Sequence, residues 1–300
     1  MKKYPVFLFY PDDNGAHYPV IFFIHGFQWP VPDYYQGYIQ HLVSHGNIVV
    51  FPSYILFRPT INNRRRYNLL FSSIEEAMTL LRHRSDTSRV GLIGHSYGGG
   101  AVPSVAHQVL IKKGWGKNGS FLHIIAPWYV HYISPREMAE LPREMRVVIQ
   151  VFEEERFNDW RMAEDLYYSL PVSEKCKDFI IVNSDSALKA KHISPLWYES
   201  NNADIIDTMV HGRISAALAS YTFTGDTIAG RIALGGGVEE QVFLGYWQNG
   251  RPIAQLRVTD RPVTPYHYEK YLFKWRRPWN PRRKYYKPVE RARSIYKQAK

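Results

Sequence analysis

The sequence predicts an α/β protein: a mostly parallel, doubly wound sheet with helices on both faces. Two observations predict it. Six short runs, 18–24, 47–51, 89–93, 121–126, 146–152 and 178–183, are mostly apolar throughout rather than alternating, as strands buried on both faces are. Between them lie stretches long enough for crossover helices, 34–45, 74–84, 97–113 and 161–170, and strand–helix alternation of this kind builds a parallel sheet. At 300 residues and 45% hydrophobic composition the chain can bury a sizeable core.

Val6-Phe7-Leu8-Phe9 lies between Pro5 and Pro11. It reads as a first strand, being too short for the apolar segment of a secretory signal. No run approaches the roughly 18 apolar residues of a membrane span. Cys176 is the single cysteine, so no internal disulfide or Cys-based zinc site is expected. A cytoplasmic protein is the expectation.

The helical rhythm changes after 183. Residues 203–220 read as a helix, and 243–248 and 251–258 flank Asn249-Gly250, the strongest short hairpin signal. From 261 onward the chain is basic, aromatic and interrupted by Pro278, Pro281 and Pro288. Residues 261–300 hold 13 Lys and Arg against 2 Asp and Glu, an excess equal to the +11 of the whole chain. The body is therefore neutral, and the basic pI carries no information about the active site. The expected organisation is a catalytic domain over 1–222, an extension with a β-hairpin (243–258) over 223–260, and a basic aromatic tail over 261–300. Trp and Tyr among Lys and Arg suit an anionic membrane surface, making peripheral membrane binding the expected partner of the tail and nucleic acid the weaker alternative.

The chemistry centres on Gly94-His95-Ser96-Tyr97-Gly98-Gly99-Gly100, directly after the strand at 89–93 and before a helix. A strand–Ser–helix turn forces the serine into a strained conformation that exposes its hydroxyl at the sheet edge. Gly94 and Gly98 leave room for the neighbouring strand and helix. The helix N-terminus favours developing negative charge, and the Tyr97 amide is placed as an oxyanion donor. With these features the chain resembles the α/β-hydrolase superfamily over about 4–220. Its elbow is similar to those of dienelactone-hydrolase-like, chlorophyllase-like and polyester-cutinase-like serine esterases. Residues 203–258 resemble the C-terminal extension of a group of bacterial α/β-hydrolases.

The resemblance implies further roles. Ile24-His25-Gly26-Phe27 matches the family's His-Gly loop, with Gly26 allowing a tight turn, Phe27 as the second oxyanion amide and His25 as a structural residue. The chain order nucleophile, acid, base places the acid after 146–152. Aligned on Phe152 it falls on Glu155, with Asp159 as runner-up, because the glycine that usually ends this strand is absent. The base falls on His192, on the loop after the last strand, with His211 as its rival. Asp185 lies nearby but off the expected spacing. Trp29, Tyr34 and Tyr35 are expected near the cleft. The 127–145 segment leaves room for a short lid or none, with Trp128, Tyr129, His131 and Tyr132 bordering an open cleft.

The expected function is hydrolysis of a small-molecule carboxylic ester through an acyl-serine, with no metal or organic cofactor. Thioesterase, lactonase and amidase chemistry use the same groups. The missing glycine is the one feature that favours a non-catalytic binding protein.

Overall fold

The computed structural model describes residues 5–12, 17–55, 62–196, 206–264 and 270–287. Strands β1 (Val6–Phe9), β2 (Tyr18–Ile24), β3 (Ile48–Pro52), β4 (Ser85–His95), β5 (Ser120–Ile125), β6 (Arg146–Phe152), β7 (Lys177–Val182) and β8 (Arg257–Thr259) form one sheet in the order β1-β3-β2-β4-β5-β6-β7-β8. Strands β2 to β7 are parallel, and the edges β1 and β8 are antiparallel.

The helices are α1 (Gln36–Ser44), α2 (Asn63–Leu80), α3 (Tyr97–Ala106), α4 (Pro135–Ala139), α5 (Arg161–Ser169), α6 (Arg213–Thr224), α7 (Thr227–Leu234) and α8 (Glu239–Val242). They cover both faces. Val20, Phe22 and Ile24 of β2 share a core with α2, α3 and α5, while Ile21 and Phe23 share one with α1, α6 and α7. Successive side chains point to opposite faces of a strand, and both faces are dry, so the strands read as continuous apolar runs.

Helix α2 starts about eleven residues before the expected 74. Asn62 caps it, accepting from the Arg65 amide at 3.0 Å; the Arg-rich first turn masks its apolar stripe. The helix expected at 97–113 ends in a π-turn over His107–Lys112, and α6 is entered through another over Asp207–Gly212. Residues 203–205 of that expected helix lie outside the described residues.

The hairpin expected over 243–258 forms only at its tip. Gly250 has φ 78°, and Trp247 donates to Arg251 O at 2.8 Å. The pairing is a single bridge, Tyr246 with Pro252. The outgoing arm instead supplies β8, which pairs with β7. The free edge of a buried sheet offers a longer ladder than an isolated two-strand ribbon, and Pro252 removes one donor from the latter.

The basic tail is not a detached arm where it is described. Residues 270–287 lie on the body, with Tyr271, Trp275 and Tyr286 buried. Trp275 and Tyr286 form a third core cluster with Tyr129 and Met162. Arg282 is buried against Asp165 of α5, through Nε and through Nη2 to Oδ1 at 3.0 Å. Trp279 and Tyr285 remain exposed. Residues 265–269 and 288–300 of the expected tail lie outside the described residues. Among the described residues no helix is long and apolar enough to cross a membrane.

Candidate active site

Ser96 stands between β4 and α3 with φ 56° and ψ −115°. A non-glycine residue there costs on the order of 1–3 kcal/mol and persists only where its surroundings hold it. Here the Ser96 amide donates to Ile125 O at 2.9 Å, and its carbonyl accepts from the Gly100 and Trp128 amides at 3.0 and 2.8 Å. Gly98 and Gly94 are required by clearance. A Cβ on Gly98 would meet Ile24 O at 1.9 Å, and one on Gly94 would meet Val102 Cγ2 at 2.5 Å.

The loops after β6 and β7 bring two side chains to this serine. Ser96 Oγ lies 2.9 Å from His192 Nε2, and His192 Nδ1 lies 2.8 Å from Glu155 Oε2. The other carboxylate oxygen of Glu155 accepts from the Phe157 amide at 2.6 Å and the Asn158 amide at 3.1 Å. An ionised Glu155 only accepts, so Nδ1 carries the proton and Nε2 can accept from the serine hydroxyl. All three residues are buried, which strengthens these contacts relative to water.

Asp159 faces elsewhere. Its carboxylate receives the Arg161 guanidinium, with Nε at 2.7 Å, and the Trp275 amide at 2.8 Å. It therefore ties the C-terminal segment to the body, and the carboxylate at His192 is Glu155. The missing glycine is accounted for by the turn itself. Among the described residues only Ser96, Ala126 and Tyr132 are non-glycines with positive φ, so residues 153–155 turn without a left-handed residue. The loops that carry Glu155 and His192 are also joined directly, by Glu154 N to Ala190 O at 3.0 Å.

His211 makes its contact with Gln150, at 3.1 Å, in a buried polar group under α6. Asp185 shapes the His192 loop from within, accepting from the Ala187 amide at 2.7 Å and from Trp247 Nε1 at 2.9 Å.

Tyr97 opens α3 and Phe27 follows Gly26; neither amide has an acceptor among the described residues. Gly26 is held by clearance rather than by a left-handed turn, since a Cβ would meet the Trp29 ring at 2.6 Å. His25 is stacked between Phe51 and Tyr54, and burial lowers its pKa to about 4. Tyr35 is buried against the loop, its hydroxyl accepting from the Gly26 amide at 3.0 Å.

A cavity of about 250 Å³ opens on Ser96, at the small end of ligand pockets. Phe27, Trp29, Tyr97, Trp128 and Phe157 wall it, with Phe157 stacked on His192 at 4.9 Å. Leu272 and Phe273 of the C-terminal segment close one side, so the cleft is not left open by the short 127–145 segment. The Phe273 amide donates to Phe157 O at 2.7 Å and the Leu272 amide to Arg156 O at 2.8 Å, which fixes this wall to the Glu155 loop.

Sequence reasoning missed Leu272 and Phe273 because nothing local links them to the serine. It also missed Asn158, whose Nδ2 lies 3.4 Å from Ser96 Oγ and donates to Ala126 O at 2.9 Å, and Arg66, which lines the cavity from α2. Asn158 sits three residues from Glu155, the one signal that could have marked it. Among the described residues no group of three or more His, Cys, Asp or Glu side chains is placed to hold a metal ion.

A mostly parallel sheet flanked by helices, with a serine of positive φ between its central strand and the following helix, is the α/β-hydrolase fold. Over part of its length the chain is similar to a known family: the family model described as Chlorophyllase matches residues 2–114. That match spans β1 through α3 and stops before Glu155 and His192. No curated protein matches the chain.

Proposed function

We propose that this protein is a serine hydrolase that cleaves carboxylic esters through an acyl-serine intermediate. The observation that carries the reading is the continuous contact Ser96 Oγ–His192–Glu155, with distances of 2.9 and 2.8 Å. His192 Nε2 takes the hydroxyl proton as Oγ attacks the ester carbonyl. Glu155 holds the imidazole tautomer and stabilises the imidazolium. The Phe27 and Tyr97 amides receive the oxyanion; one such donor is worth about 3–4 kcal/mol. The imidazolium then protonates the departing alkoxide. Water, deprotonated by His192, attacks the acyl-serine and releases the carboxylic acid.

The test is hydrolysis of short-chain aryl esters together with covalent labelling by a fluorophosphonate. The wild type turns over and is labelled, while Ser96→Ala does neither. Equal, background-level behaviour of both proteins rejects the reading in favour of a non-catalytic binding protein. Thioester, lactone and amide analogues in the same panel decide which leaving group is preferred.

A further inference from the structure

We propose that the ester taken by this site carries a carboxylate, and that Arg66 binds it. The proposal rests on the ester-hydrolase reading and names its substrate class. Arg66 projects from α2 into the wall of the cavity that holds Ser96. Its guanidinium carbon lies 5.0 Å from the centroid of the Phe27 ring and 6.0 Å from that of Tyr97. Both rings line the cavity that holds Ser96, so the charge stands in the wall of that cavity.

Three arginines are buried among the described residues: Arg66, Arg161 and Arg282. Arg161 is matched by Asp159 and Arg282 by Asp165. Arg66 has no carboxylate partner among the described residues. Its Nη1 donates to Asn63 Oδ1 at 3.0 Å, an oxygen shared with the Tyr97 hydroxyl at 3.1 Å, and its Nε has no acceptor. A buried cation without a counter-ion costs several kcal/mol, and the two aromatic faces offset only about 1–2 kcal/mol of that. The rest of the cavity is mainly aromatic and aliphatic. A substrate carboxylate is the partner the pocket lacks, and the planar guanidinium fork matches its geometry.

The test uses 4-nitrophenyl half-esters of four- to six-carbon dicarboxylic acids, each against the carboxamide of the same length. In the wild type at least one length shows kcat/KM about tenfold or more above its carboxamide. Arg66→Met brings that ratio to about one, and Arg66→Lys retains part of it. The non-hydrolysed amide analogue of the favoured half-ester, titrated against tryptophan fluorescence through Trp29 and Trp128, binds about tenfold more weakly to Arg66→Met.

A wild type that favours no carboxylate at any length overturns the proposal even if the variant does not fold. An equal loss on charged and uncharged esters also overturns it, since it assigns Arg66 to the general field of the site. Absence of turnover and of fluorophosphonate labelling is a failure of the ester-hydrolase reading. Carboxylate binding then still stands or falls on the fluorescence titration, run with the amide analogues of all the half-esters.

Discussion

His95 Nε2 donates to the carbonyl oxygen of His192 at 2.9 Å, so the histidine inside the elbow holds the loop that carries the histidine at Ser96. A carbonyl only accepts, so the His95 proton is on Nε2. Its Nδ1 then accepts from the Tyr35 hydroxyl at 3.0 Å, and that hydroxyl accepts from the Gly26 amide. Burial pushes the His95 pKa well below the ordinary value, keeping the ring neutral. The relay joins the Gly26 loop to the His192 loop through one buried imidazole.

His95→Phe breaks both ends of that relay. The expected result is a ten- to hundredfold fall in kcat with little change in KM, because small misplacements of reacting groups cost about that much. Tyr35→Phe removes one end and has a milder effect. Steady-state kinetics on a short aryl ester decide; a kcat for His95→Phe within twofold of wild type contradicts the positioning role.

Glu155 and Asp159 are expected to separate catalysis from stability. Glu155→Gln leaves His192 without the acceptor that sets its tautomer and lowers kcat by about 10⁴, as such replacements do in serine hydrolases. Asp159→Asn weakens the contact with Arg161 and Trp275 instead. Breaking a buried pair costs about 3–5 kcal/mol, so its effect is read in urea denaturation. A larger loss of activity per folded molecule from Asp159→Asn would reverse the assignment.

The C-terminal segment is expected to contribute to both stability and specificity. Arg282→Met leaves Asp165 buried and unpaired and destabilises the fold by about 3–5 kcal/mol. Phe273→Ala and Leu272→Ala enlarge one wall of the cavity, shifting the preferred acyl chain to greater length. A graded series of aryl esters measures the shift. An unchanged chain-length optimum in both variants removes these residues from the substrate site.

Glu164 makes stability depend on pH. Burial raises its carboxyl from 4.5 to about 7, against the opposing hydrogen bond from Thr264. Below pH 4.5 the group is protonated whether folded or unfolded. Between 4.5 and 7 the folded state binds more protons, so stability falls as pH rises, in total by on the order of 3 kcal/mol. Glu164→Gln removes this contribution: its Tm declines less between pH 5 and pH 8 than that of the wild type. Parallel Tm curves for the two proteins contradict the shift.

Local sequence determined the strands and the elbow. Val20–Ile24 and Val147–Phe152 read as strands because burial on both faces leaves Gln150 as their single polar position. Ser96 was legible because a strained turn between strand and helix needs glycines at fixed places. The tertiary structure decided what long-range pairing controls. The choice of Glu155 over Asp159 depends on Trp275, a residue 116 positions away that occupies Asp159. The outgoing hairpin arm joins β7 because an open sheet edge outcompetes a local ribbon. A charge count marked 261–300 as a separate basic tail, since composition does not show that Asp165 of α5 is buried against Arg282. Periodicity and turn chemistry act within a few residues and survive in the sequence. Burial of charge and closure of a cavity depend on which distant segments meet, and only the folded chain determines that.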